Sequence, residues 1–266
     1  MEDVALLSVK FGDWFWMESN IKLVQSLNPS FKSSWVIVNN DLEEAPDSVK
    51  KAGLTLIRGA DRFSCNDESH HHAQAIHIGL QHIRSRFMIL MDPDFYVIRP
   101  DWINLILQYM QEQNLAILGS PWHPRWFHQP QGFPSPHFFA VDLSRIDKKD
   151  LNFQPGIQDS TLLKIAAWLK NVKLNTLAQC LICGKFPDTG HEIRKRFLHD
   201  PKVRWECLPI VIGGKLFLKK ADGLTRFTSI FFSGSFDPSR SKDAGDFPHG
   251  FLSDLSGEAV GAGWEE

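Results

Sequence analysis

A chain of 266 residues, 43% hydrophobic and 23% charged, can bury one large globular core or two small ones tightly joined. Its formal net charge of −2 argues against a nucleic-acid partner, which selects a basic stripe. Met1–Val4 begins with acids, not with the bases of a secretory leader, and no apolar run approaches the roughly 20 residues of a membrane helix, so a cytoplasmic protein without a transmembrane segment is expected.

Val4–Val9 reads as a first strand, after which Asp13 can cap a helix through Phe15, Met17, Ile21, Val24 and Leu27 that Asn28-Pro29 stops. Trp35–Val38 is a second strand running into Asn39, Asn40 and Asp41, and Leu54–Ile57 a third. Ser69 is placed to cap a helix through Ala73, Ile76, Leu80 and Ile83. Its opening histidines, His70, His71 and His72, either meet phosphate oxygens beside free backbone N–H groups or make a plain polar first turn.

The five apolar residues Phe87–Met91 read as a strand buried on both faces, as in a parallel sheet. They lead into Asp92-Pro93-Asp94. Two carboxylates so spaced can address one hard cation, with Pro93 stiffening the turn, or the three residues simply end the strand. The alternation of strands and helices predicts a doubly wound α/β fold, a mostly parallel central sheet with helices on both faces and a ligand crevice at the strand ends. Ser8, Asn39 and Asp92 should converge there.

Pro100 introduces a helix over 101–113, and Leu115–Leu118 is a further strand. Gly119–Pro136, crowded with aromatic, proline and histidine residues, is a loop too long to be a plain connector. Phe138–Val141 resumes an apolar strand, and Leu162–Leu169 looks helical. Cys180 and Cys183 lack a second ligand pair for zinc, so Cys65, Cys180, Cys183 and Cys207 are expected as buried thiols. Asp188 can cap a helix containing Ile193 and Phe197, with Glu192 one turn later on the same side. The segment 237–266, rich in Gly, Ser and Asp, is expected to be a mobile tail.

This order of parts resembles the GT-A nucleotide-sugar glycosyltransferases, most closely the inverting family 2, over roughly the first 200 residues. Val4–Ser8 and Trp35–Asp41 look like the two strands that hold the nucleoside. Ser69–Leu80 followed by Phe87–Asp94 looks like the helix and strand that deliver the DxD motif. Phe138–Arg145 is similar to the acceptor-side strand, and Phe186–Arg196 stands where the family places its catalytic carboxylate, with Pro187 in place of the usual glutamate.

The resemblance implies one GT-A-like domain over 1–236, with a nucleotide-binding half at 1–114, an acceptor-binding extension at 115–236 and a tail at 237–266 that closes over the site. It implies that Ser8, Asn39, Asn40, Asp41, His72 and Asp92 hold the nucleotide, and that Asp94, with Asp92 directly or through water and with His249, holds Mn²⁺ or Mg²⁺. Asp188 or Glu192 would be the base, and Trp122, Arg125 and Trp126 would hold the acceptor. The expected activity is metal-dependent, inverting transfer of a sugar from a nucleotide-diphosphate donor to a carbohydrate or glycoconjugate acceptor, in polysaccharide or glycoconjugate synthesis. Two alternatives stand beside it. A sugar-phosphate nucleotidyltransferase would carry a Gly-rich loop after the first strand, where 8–13 has one glycine; a non-catalytic carbohydrate-binding protein could use the same fold.

Overall fold

The computed structural model describes residues 3–31, 34–41, 43–59, 68–121, 132–156, 189–208, 210–212 and 215–217, with single positions between 165 and 177. In chain order the elements are β1 (Val4–Lys10), α1 (Trp14–Leu27), β2 (Ser34–Asn39), α2 (Asp47–Lys51), β3 (Thr55–Arg58), α3 (Glu68–His82) and β4 (Phe87–Met91). Then come α4 (Trp102–Glu112), β5 (Ile117–Gly119), β6 (Phe138–Asp142), α5 (His191–Phe197), β7 (Trp205–Cys207), β8 (Ile210–Ile212) and β9 (Lys215–Phe217).

Seven strands form one sheet in the order β3-β2-β1-β4-β6-β5-β7, while β8 and β9 pair separately. β1 lies parallel between β2 and β4, and β3 is parallel to β2. β6 runs antiparallel to both β4 and β5, and β7 is parallel to β5. The chain therefore winds from β1 outward to β2 and β3, then returns across the sheet to β4 on the other side of β1.

Right-handed crossovers in opposite directions must lie on opposite faces. Alternate strand residues divide accordingly: Leu6, Ile37 and Ile89 join one core with Met17, Val24 and Val49, while Leu7, Val38 and Leu90 join another with Ala73, Ile76 and Leu80. Thus α1, α2 and α4 cover one face and α3 and α5 the other. This is the doubly wound α/β architecture expected from the sequence, a mostly parallel sheet with helices on both faces. Its winding reverses between β1 and β4, so the carboxyl ends of those two strands flank the crevice.

Local chemistry sets the helix ends. Asp13 accepts a hydrogen bond from the Phe15 amide at 2.8 Å and caps α1. At the other end Asn28 donates through Nδ2 to the Val24 carbonyl (3.0 Å) while its Oδ1 accepts from the Ile103 amide (3.1 Å), so one side chain ends α1 and starts α4.

Three boundaries differ from expectation. α3 begins at Glu68, which puts Ser69 inside the first turn, where its carbonyl accepts from the Thr189 hydroxyl at 3.1 Å. α4 begins at Trp102, after Asp101 turns through a left-handed φ of 55°. α5 is preceded by Gly190 at φ 96°, so a glycine and not Asp188 takes the cap position. A Cβ on Gly190 would also stand 2.9 Å from Pro136.

The loop segment 122–131, most of Leu162–Leu169, the tail 237–266 and Cys65, Cys180 and Cys183 lie outside the described residues; Cys207 is half-buried in β7. Among the described residues no helix is long and apolar enough to cross a membrane.

Candidate active site at the mouth of the sheet

The first expected residue sits deeper than the sequence implied. Ser8 is fully buried, its hydroxyl donating to the Met91 carbonyl (2.8 Å) and accepting from the Trp35 indole (3.2 Å). It ties β1 to β4 and β2 below the mouth. β1 continues two residues further, to Lys10.

Lys10 is buried, with Nζ 3.2 Å from Asp41, 3.0 Å from Glu43 and 4.6 Å above the Trp14 ring. Asp41 also accepts from the amides of Gly12 and Glu43, each at 2.9 Å. Burial pushes the Asp41 carboxyl upward, but the Glu43 amide, Lys10 and the Gly12 amide together hold it below the ordinary range. Asp41 therefore locks the loop after β1 to the loop after β2.

Asn40 is buried, with Nδ2 3.0 Å from His71 Nδ1 and donating to the His71 carbonyl at 3.2 Å. It fastens β2 to the first turn of α3. Asn39 donates to the Glu43 carbonyl at 2.7 Å, and its buried Oδ1 finds no partner among the described residues. A buried acceptor left open at a strand mouth suits a ligand donor.

Asp92 stands one residue past β4. Its amide donates to the His137 carbonyl at 2.9 Å, extending the antiparallel β4–β6 ladder beyond the Met91–Phe138 pair, so His137 lies opposite Asp92. His137 Nδ1 hydrogen-bonds one Asp92 oxygen, and His72 Nε2 lies 3.8 Å from the other. Burial alone would raise Asp92; the charges of His137 and His72 and the His137 hydrogen bond hold it below the ordinary range.

Asp94 reaches the surface. Partial desolvation first, and the Asp92 charge second, push its carboxyl upward. Two carboxylates in one turn, one of them resisting ionisation through desolvation first and the other's charge second, fit a divalent cation that would neutralise both. Among the described residues no group of three or more His, Cys, Asp and Glu forms a metal cluster.

The turn itself is held from below. Asn20 of α1, fully buried, points Nδ2 at the carbonyls of Asp92, Pro93 and Phe95 at 3.4, 3.1 and 3.0 Å.

α5 reaches this cluster through Thr189, whose hydroxyl lies 3.4 Å from His72 Nδ1. Asp188 is outside the described residues, as are Trp122, Arg125, Trp126 and His249. Glu192 is half-exposed in the first turn of α5, 3.6 Å from Lys195 Nζ and 3.8 Å from His191 Nε2. The structure thus joins Asp92, Asp94, His72 and Thr189 into one mouth, with Asn39, Asn40 and Asp41 at the end of β2, across β1 from it.

Sequence reading missed His137, Asn20 and Lys10. Asn20 left a signal, a polar residue on the same helical stripe as Met17, Ile21 and Val24. His137 left none, because its place follows from the antiparallel direction of β6.

No protein-family model matches the chain, and neither does any curated protein. Among solved structures it is similar to a mannosyltransferase from Pyrobaculum calidifontis in complex with GDP-Man and Mn²⁺, at 16% identity and TM-score 0.45 over 62% of this chain and 52% of that one. It is also similar to mannosyl-3-phosphoglycerate synthase from Rubrobacter xylanophilus (13% identity, TM-score 0.39, 54% of each chain). A third is glucosyl-3-phosphoglycerate synthase from Mycobacterium tuberculosis (12% identity, TM-score 0.41, 65% of this chain and 68% of that one). The chain spans about half the length of the first two.

Proposed function

We propose that this chain is a metal-dependent, inverting glycosyltransferase that moves a sugar from a nucleotide-diphosphate donor to a hydroxyl of a carbohydrate or glycoconjugate acceptor. The observation that carries the reading is the position of Asp92 and Asp94 at the reversal of winding between β1 and β4, where doubly wound sheets bind their ligands. The resemblance of Phe87–Asp94 to a DxD strand, and the open Asn39 acceptor at the end of β2 two strands away, support a nucleoside diphosphate there.

In this reading Asp94 is the direct ligand of Mn²⁺ or Mg²⁺, and Asp92, steadied by His137 and His72, is its helper near the ribose. The ion, when bound, neutralises the departing diphosphate. The acceptor oxygen attacks the anomeric carbon from the face opposite the leaving group; the C–O bond to phosphate breaks with its electron pair, and a carboxylate takes the acceptor proton. Asp188 is the assigned base. It immediately precedes Thr189 in the sequence, and the Thr189 hydroxyl lies 3.4 Å from His72 Nδ1. Glu192, on α5, is the second carboxylate within that segment. His249 completes the metal shell, and Trp122, Arg125 and Trp126 take the acceptor.

Calorimetric titration of GDP and UDP with and without Mn²⁺ tests the donor site. Metal-dependent binding should fall at least about tenfold in Asp94→Ala, roughly the cost of one lost charge-assisted contact. If neither nucleotide binds under either condition, the transferase reading is wrong. Asp188→Asn should keep nucleotide affinity yet lose transfer by about 10²-fold. Near-normal turnover in that variant would move the base to Glu192, and Glu192→Gln should then show the loss.

A further inference from the structure

Three rings beside Asp94 have no part in the chemistry above. Phe15 and Trp16 are 55% and 43% exposed at the start of α1, although Trp14 and Met17 on either side of them are buried. Their ring centroids lie 5.2 Å apart, and Trp16 lies 6.4 Å from Tyr96, two residues beyond Asp94. The Tyr96 hydroxyl lies 3.4 Å from the Trp16 carbonyl. The support is rigid, because Trp14, Met17, Ile21 and Val24 anchor α1 in the core and Asn20 grips the turn that carries Tyr96. Contiguous apolar rings left at the surface on such a base mark a binding surface.

We propose that Phe15, Trp16 and Tyr96 form a ledge that holds a ring of a neutral oligosaccharide acceptor running past the Asp92–Asp94 mouth. The inference rests on the reading of that mouth as the donor site. A pyranose offers an apolar C–H face that stacks on an aromatic ring and an edge of hydroxyls that need acceptors. Here the Tyr96 oxygen lies beside Trp16, and the Asp13 carboxylate, which accepts from the Phe15 amide at 2.8 Å, lies beside Phe15.

Charge and size separate this occupant from two others. Residues 11–19 and 91–98 contain no Lys or Arg, while Asp13, Glu18 and Asp94 supply negative charge. An anionic lipid surface or a phosphorylated or uronic chain is drawn to basic residues and finds none in these two segments. A stable protein interface engages roughly 20–30 residues a side, far more than three rings.

The test is calorimetry of the full chain with cellohexaose, maltohexaose and mannohexaose, with GDP and UDP plus Mn²⁺ titrated in parallel. At least one hexasaccharide should bind, and Trp16→Ala or Phe15→Ala should weaken it about fivefold while leaving nucleotide affinity unchanged. Both rings are exposed, so these variants should keep the parental melting curve. The ledge is refuted if no hexasaccharide binds, if both substitutions leave binding unchanged, or if the protein instead sediments with phosphatidylserine vesicles in a Trp16-dependent way. Ledge-dependent sugar binding without any nucleotide binding would sink the donor reading alone.

Discussion

Asn20 shows how a residue with no ligand contact can govern a site. Its amide nitrogen serves three carbonyls of the Asp92–Phe95 turn from a fully buried position. Asn20→Leu keeps the apolar volume but strands those carbonyls without a donor, at a cost of about 1–3 kcal/mol. The expected result is a lower urea midpoint together with weaker Mn²⁺-dependent nucleotide binding, since the turn that aims both carboxylates is loosened. Binding that stays at parental strength while stability falls would show that the turn keeps its shape unaided. His137 acts at the same scale from the other side, by holding the Asp92 carboxylate against the end of β6.

At the scale of elements, the joint between α1 and α4 depends on Asn28. Its side chain satisfies a carbonyl at the end of one helix and an amide at the start of the next, and the Asp101 amide donates to the Leu27 carbonyl at 2.7 Å beside it. Both helices cover the same face, so the joint fixes their relative seating over Leu6, Ile37 and Ile89. Asn28→Ala should cost about 1–3 kcal/mol by leaving a buried group unpaired, read as a lower urea midpoint with an unchanged slope. A changed slope would mean that the two helices come apart separately. Across the sheet, α3 sits so close that a Cβ on Gly79 would stand 2.3 Å from a Leu7 methyl. That close approach brings His71 and His72 to the strand ends.

For the whole molecule, the antiparallel β6 spans the sheet from the mouth to the opposite end. There Asp142, buried, takes two hydrogen bonds from Arg86, at 2.9 and 3.3 Å, and two from Ser144. Burial would raise its carboxyl, but Arg86 and Ser144 hold it below the ordinary range, as Glu43, Lys10 and Gly12 hold Asp41. A group with a depressed folded value adds stability above the unfolded value, about 3.9 for Asp, and loses it as pH falls through the folded one. Urea unfolding should therefore show stability falling steeply below about pH 4, and Asp142→Asn should flatten that slope. An unaltered slope would remove Asp142 from the acid response. His77 is displaced in the same sense, because burial lowers it while its Nε2 accepts from the Phe153 amide at 3.1 Å. Its contribution is present above the ordinary imidazole range and fades on acidification.

The sequence by itself determined the elements from β1 to α4 and their alternating winding, because apolar runs, helical periodicity and the Asp13 cap are local properties that survive tertiary context. It also placed Asp92 and Asp94 at a strand mouth, since a buried strand that ends in carboxylates reads directly from neighbouring residues. Only the tertiary structure decided that β6 runs antiparallel and carries His137 to Asp92, that Ser8 lies within the sheet, and that Thr189 meets His72. Those facts depend on strand direction, register and contacts between residues 45 to 117 positions apart. Local side-chain chemistry constrains such long-range choices only weakly; packing against the two cores selects them.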